Sequence, residues 1–94
     1  MSTILGQSTV ARNPSVLSAE VSGELVLMSV SCWHYFGLNS VASDIWKRLS
    51  SPLRVDELCQ ALASEYEAET DVIRQDVLEL LNKLASRELI EVQA

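Results

Sequence analysis

The stretch Trp33-His34-Tyr35-Phe36-Gly37-Leu38-Asn39 constrains the fold more than any other part of the chain. Aromatic and branched residues favour a pleated strand, and this run ends at an asparagine. An asparagine there can accept a hydrogen bond from a free backbone N–H and so open a helix. A strand is therefore expected to stop at Leu38, with a helix beginning almost at once. A sheet that feeds directly into helices accommodates such a junction.

The flanking sequence agrees. Val16 to Val21 (VLSAEV) and Glu24 to Ser29 (ELVLMS) read as strands. Ser22-Gly23 between them suits a tight hairpin turn. The near-continuous apolar character of the second run predicts burial on more than one side. Val30-Ser31-Cys32 then turn the chain into a third strand, Trp33 to Leu38. Beyond Asn39, the residues Val41, Ala42, Ile45, Trp46 and Leu49 share one stripe of a helix from Ser40 to Leu49. Ser50-Ser51-Pro52 ends that helix. Val55, Leu58, Cys59, Leu62, Ala63 and Tyr66 mark one face of a second, with Asp56 and Glu57 at its positive end. A third runs from an N-cap at Thr70 to about Arg87, its core face built from Ile73, Val77, Leu80, Leu81 and Leu84. Leu89-Ile90-Glu91-Val92 closes the chain as a short strand or extended tail. The expected class is α+β and winged helix-turn-helix-like, a three-stranded antiparallel sheet followed by three helices. Residues 1–13 are polar and aperiodic and read as a flexible tail, leaving 14–94 as the domain.

Composition narrows the function. Ninety-four residues with 48% hydrophobic content make one small core. The net charge of −6 argues against gripping a phosphate backbone, which needs a basic stripe. No apolar run is long enough for a membrane span, and no secretory signal opens the chain. Two cysteines, Cys32 and Cys59, make no disulfide framework, so the expected setting is the reducing cytoplasm. Cys32, His34 and Cys59 fall one ligand short of a structural zinc site, and neither a metal nor another cofactor is expected. Cys59 and Trp46 are expected in the core. His34, the single histidine, has neither a nucleophile nor an orienting partner in the pattern, so no catalytic residue is assigned.

Several segments resemble the PqqD family. They are Val21-Ser22-Gly23-Glu24-Leu25-Val26-Leu27; Tyr35-Phe36-Gly37-Leu38-Asn39-Ser40-Val41-Ala42-Ser43-Asp44-Ile45-Trp46; Val55-Asp56-Glu57-Leu58 with Leu62 and Tyr66; and Asp76-Val77-Leu78-Glu79-Leu80-Leu81 with Leu84, Leu89 and Ile90. The resemblance covers about Val16 to Val92. It implies a non-catalytic element of a pathway that modifies ribosomally made peptides. The leader part of a precursor peptide would add as a strand beside the third strand, against the third helix. The implied partners are that leader and a separately encoded maturation enzyme, a leader peptidase or cyclase. The resemblance leans towards stand-alone elements of lasso-peptide systems. A chaperone of pyrroloquinoline quinone synthesis is an alternative.

The residues themselves fit strand addition, in which the main chain supplies affinity and pockets for alternate side chains supply specificity. In the third strand Trp33, Tyr35 and Gly37 point one way, and His34, Phe36 and Leu38 the other. Phe36 and Leu38 are expected to face the helices. Gly37 either lets a second backbone approach or permits a bulge. On the third helix Arg74, Leu78 and Leu81 are the groove candidates beside Val77. Leu78 equally suits a wide core stripe, and Arg74 a solvated surface charge. The expected peptide-binding set is thus Trp33, His34, Tyr35, Phe36, Gly37, Leu38, Arg74, Val77, Leu78 and Leu81. Two rival readings remain. One is a DNA-binding winged helix, although Asp76, Glu79 and Glu88 offset its basic residues. The other is a subunit that only stabilises a larger enzyme. An open edge also allows a monomer or a weak dimer.

Overall fold

Two neighbouring residues with left-handed backbone, Ser22 at φ 54° and Gly23 at φ 83°, fold the chain back on itself. In this computed structural model, which describes residues 4–30 and 34–93, that turn joins β2 (Val16–Val21) to β3 (Glu24–Ser29). Positive φ at both central positions matches the twist of the flanking strands, so the hairpin closes in register, Val21 opposite Glu24 and Val16 opposite Ser29. Pairing of β3 with β4 (His34–Leu38) completes an antiparallel sheet in the order β2-β3-β4.

One face of this sheet meets the core. Leu25, Leu27 and Ser29 of β3 and Leu38 of β4 are buried there, with Phe36 packed against the cluster. Val26 and Met28 lie half-buried on the outer face. The expected two-sided burial of β3 is therefore corrected: its apolar alternates turn to a face that remains partly open.

The junction after β4 forms as the sequence implies. Asn39 Oδ1 accepts a hydrogen bond from the Ala42 N–H at 2.8 Å and opens α1 (Ser40–Arg48). Ala42, Ile45, Trp46 and Leu49 are buried, whereas Val41 is exposed. α2 (Val55–Tyr66) buries Val55, Leu58, Cys59 and Leu62. Tyr66, expected on the same face, instead lies at the rim, where its hydroxyl donates to Asp44 Oδ2 at 3.0 Å. Arg48 bridges Asp44 and Glu65 beside it, tying α1 to α2. α3 (Thr70–Ser86) is capped by Glu69, which makes no side-chain capping bond. Thr70, the expected cap, is its first helical residue, so the helix starts one position earlier than expected.

A second sheet corrects the expected tail. β1 (Thr9–Arg12) pairs with β5 (Leu53–Arg54) on one side and with β6 (Ile90–Gln93) on the other. Ile4 and Val10 enter the core. The N-terminal segment also bonds to the ends of two helices. The carbonyls of Gly6 and Ser8 accept from the Asp56 and Val55 N–H groups at 2.8 and 2.9 Å, where α2 has no side-chain cap. Arg12 donates through Nε and Nη2 to the Trp46 carbonyl at 3.0 and 2.7 Å, satisfying the C-terminal end of α1. Its guanidinium lies 4.9 Å from the centre of the Trp46 ring. Residues 4–12 are thus structural, despite a polar sequence without periodicity.

Candidate functional site

β4 is an edge strand. It pairs with β3 from Leu38 opposite Leu25 to His34 opposite Ser29, and no described strand lies on its other side. In an antiparallel strand, alternate residues turn both N–H and C=O away from the neighbour, so β4 presents a row of free backbone groups. β2 is the other edge of the same sheet, but its residues are largely exposed. β4 differs because α3 runs near it.

The flank of α3 turned towards β4 carries Asp76, Leu80, Lys83 and Arg87. The Arg87 guanidinium stacks 5.3 Å from the centre of the Phe36 ring. At that end, Tyr35, Phe36, Ser86 and Leu89 help to line a cleft of about 360 Å3. At the other end, past Leu38, a cleft of about 450 Å3 opens between α1, α2 and α3. Val41, Ile45, Leu62 and Leu80 line it, with Asp76, Glu79 and Lys83 among its polar residues. β4 and α3 are therefore arranged in opposite directions along the groove, Arg87 opposite Phe36 and Asp76 near Asn39.

Among the described residues, Asp76, Glu79, Lys83 and Arg87 form no ion pair. This contrasts with Lys47, Arg48 and Arg54, each of which meets a carboxylate. Tyr66, on the cleft past Leu38, has its hydroxyl proton held by the Asp44 carboxylate, which raises its pKa above the ordinary 10.0. Among the described residues no group of His, Cys, Asp and Glu has an arrangement that could hold a metal ion. Cys59 is buried in the core, and burial pushes its thiol above the ordinary value of 9.0.

The expected site residues divide. Tyr35 (72% exposed) and Gly37 lie on the outer face, while Phe36 and Leu38 face the helices as expected. Leu38 is buried, so it shapes the floor. The β3–β4 register passes Gly37 without interruption, opposite Val26, which removes the bulge reading. A Cβ added to Gly37 would meet open space. His34 begins β4 opposite Ser29; its side chain, with Trp33 and Cys32, lies outside the described residues.

On α3, Val77 is buried beneath the larger cleft. Arg74, Leu78 and Leu81 line neither of the two clefts. Leu81 is fully buried, and Leu78 packs against the core. Arg74 instead points towards Gly6 in the N-terminal segment. The reason is geometric. Leu78 and Asp76 are two residues apart and so roughly 160° apart around the helix. α3 packs on both α2 and β6, which widens its covered arc to include Leu78. A legible signal for the facing flank did exist in the sequence: Asp76, Leu80, Lys83 and Arg87 follow one another at helical spacing.

The family model of coenzyme PQQ synthesis protein D (PqqD) matches residues 24–90. No curated protein matches the chain. Among solved structures, "TbiB1 in Complex with the TbiA(beta) Leader Peptide" is similar, with 33% sequence identity and a TM-score of 0.80. The similarity covers 89% of this chain and 98% of that one. With the family model spanning β3 through the start of β6, this chain belongs to the PqqD family.

Proposed function

We propose that this chain binds the leader region of a ribosomally made precursor peptide and presents it to a separately encoded maturation enzyme. The leader adds as a strand along β4, with the β4-facing flank of α3 as the opposite wall. The observation that carries this reading is the unpaired edge of β4 beside a cleft-lined helix, in a chain similar to one whose structure holds a leader peptide. Free N–H and C=O groups of β4 supply sequence-independent affinity. Alternate peptide side chains would point between β4 and α3, where the apolar cleft beyond Leu38 accepts one of them. Phe36, Leu80, Lys83 and Arg87 are the contacts this arrangement offers, with Val77 and Leu38 as floor.

The chain acts here by holding and positioning, and catalysis belongs to the partner, a leader peptidase or cyclase of a lasso-type pathway. Among the described residues no helix is long and apolar enough to cross a membrane. The proposed setting is cytoplasmic, as a monomer or weak dimer.

Titration of the labelled chain with the TbiA(beta) leader peptide, followed by amide chemical shifts, tests the reading. Shifts are expected at Phe36 to Leu38 and at Leu80, Lys83 and Arg87, with β2 unmoved. A silent β4, or shifts confined to β2 or β6, overturns it.

A further inference from the structure

We infer that the outer face of the hairpin sheet holds a second specificity site, a shallow trough ending at Gly37 that takes an aromatic side chain of the bound peptide. The inference rests on the peptide-binding reading above. It adds a site on the face of β4 turned away from the groove, and the chemical class of the residue taken there.

The strand registers set the outer-face residues in three rows across the sheet. Leu17, Met28 and Tyr35 make one row. Ala19, Val26 and Gly37 make the next. Val21 and Glu24 make the third. The middle row carries the smallest side chains and has none at its β4 end. It is therefore a trough between two taller rows, and it opens at the free edge of β4. Its floor at Val26 is half-buried, and a Cβ added at Gly37 would meet nothing within 4 Å. Leu17 and Tyr35 on one wall and Val21 on the other are exposed. Glu24 is the single charge in the three rows. The rows thus form an exposed apolar surface that the fold itself does not cover.

Strand addition supplies the occupant. Whichever way a peptide runs, every second residue of a strand added to β4 turns to the outer face. Cross-strand neighbours sit with Cβ positions about 4.5–5.5 Å apart, and diagonal ones remain within reach of an aromatic ring. A peptide residue opposite Gly37 therefore has no side chain facing it. It has Tyr35 on its diagonal and Val26 one strand further in, about 4.8 Å beyond Gly37. A small side chain leaves that space unfilled. A Phe, Tyr or Trp ring lies over the glycine, meets the Tyr35 ring and reaches the Val26 methyls. Covering an edge glycine with a cross-strand aromatic is a known way to stabilise and register a sheet. The residue taken by the trough is out of step with those in the groove. It falls an odd number of positions from any peptide residue that points between β4 and α3.

The test is selection of displayed random dodecapeptides on the full chain, followed by titration. The wild type is expected to enrich peptides with an aromatic at odd spacing from their apolar groove residues. One enriched peptide and a copy with that aromatic replaced by Ala are then titrated against the wild type, against Gly37→Val, which fills the mouth of the trough, and against Tyr35→Ala, which removes an exposed wall. The copy is expected to bind the wild type about five- to tenfold more weakly. The two peptides are expected to bind Gly37→Val about equally, and Tyr35→Ala is expected to narrow the gap. On the wild type, the aromatic peptide and not its copy is expected to move the Gly37 Hα and Val26 methyl resonances upfield, as a ring stacked over them does. Equal affinity of the two peptides for the wild type overturns the inference and leaves peptide binding standing. An aromatic preference that survives either substitution in full also overturns it. Failure of the wild type to enrich any peptide overturns the inference and the peptide-binding reading together.

Discussion

The two sheets of this domain contain three strands each and were built in opposite ways. β2, β3 and β4 follow one another along the chain and pair with their sequence neighbours. β5, β1 and β6 come from three distant places, so residue 9 pairs with both residue 54 and residue 93. The first sheet carries the candidate site along its free edge. The second joins the chain's distant parts, bonds to the ends of α1 and α2, and brings Val10 and Ile90 into the core. Local pairing builds the edge where a ligand can add, and long-range pairing supports the helices that wall it.

Removing residues 4–12 is the most severe way to break that comparison. It deletes β1, exposes the partners of Ile4 and Val10 and frees the first N–H groups of α2. Loss of most of the roughly 5–15 kcal/mol typical of a domain is expected, read as collapse of the urea transition. A truncated chain with an unchanged midpoint would show that the second sheet supports nothing. Arg12→Ala is narrower. It removes two charge-assisted hydrogen bonds to the Trp46 carbonyl and the stack on its ring, and a loss of about 1–2 kcal/mol is expected from denaturation.

The two glycines of the hairpin sheet should respond with opposite signs. Gly23 sits at φ 83°, so Gly23→Ala is expected to cost about 1 kcal/mol. Gly37 faces open space with ordinary strand pairing, so Gly37→Ala should stabilise by about 0.5 kcal/mol. Peptide affinity of Gly37→Ala then sharpens the picture: a loss would mean that the bound backbone comes close at that point. The smallest effect is alkaline. The folded state raises the proton affinity of the Cys59 thiol by burial and of the Tyr66 hydroxyl by its bond to Asp44. Folded protein therefore retains protons that the unfolded chain releases as pH rises past 9.0 and then 10.0. The associated stability is present at neutral pH and is lost on going upward through those values. Thermal midpoints measured across that range should fall less steeply in Cys59→Ala than in the wild type.

The difference between the sheets also explains what could be read from the sequence. The Ser22-Gly23 turn, the Asn39 cap and the 55–66 helix are written in adjacent residues, and each forms as expected. β1 carries no such mark. Thr9-Val10-Ala11-Arg12 is short, and its partners are specified only by the whole fold. On the strand, alternation puts Phe36 and Leu38 on one face, and the choice of that face as the inner one agrees with their packing. The helix half of the candidate site was not legible. Periodicity finds a buried face but does not say how wide it is, and packing of α3 on β6 as well as α2 drew Leu78 inside. The residues of α3 that border the two clefts are instead Asp76, Leu80 and Lys83 on one and Arg87 on the other.

Thr9 lies directly opposite Gln93, so the start of β1 and the end of β6 meet. A glycine-rich linker from the end of β6 to the segment that precedes β1, keeping Ile4 to Ser8, could be combined with a new opening at Glu67–Glu69, between α2 and α3. Such a circular permutant would keep every strand pairing while reordering the elements along the chain. It would also convert the distant pairing of β1 with β6 into a near-neighbour hairpin, and faster folding is the natural consequence.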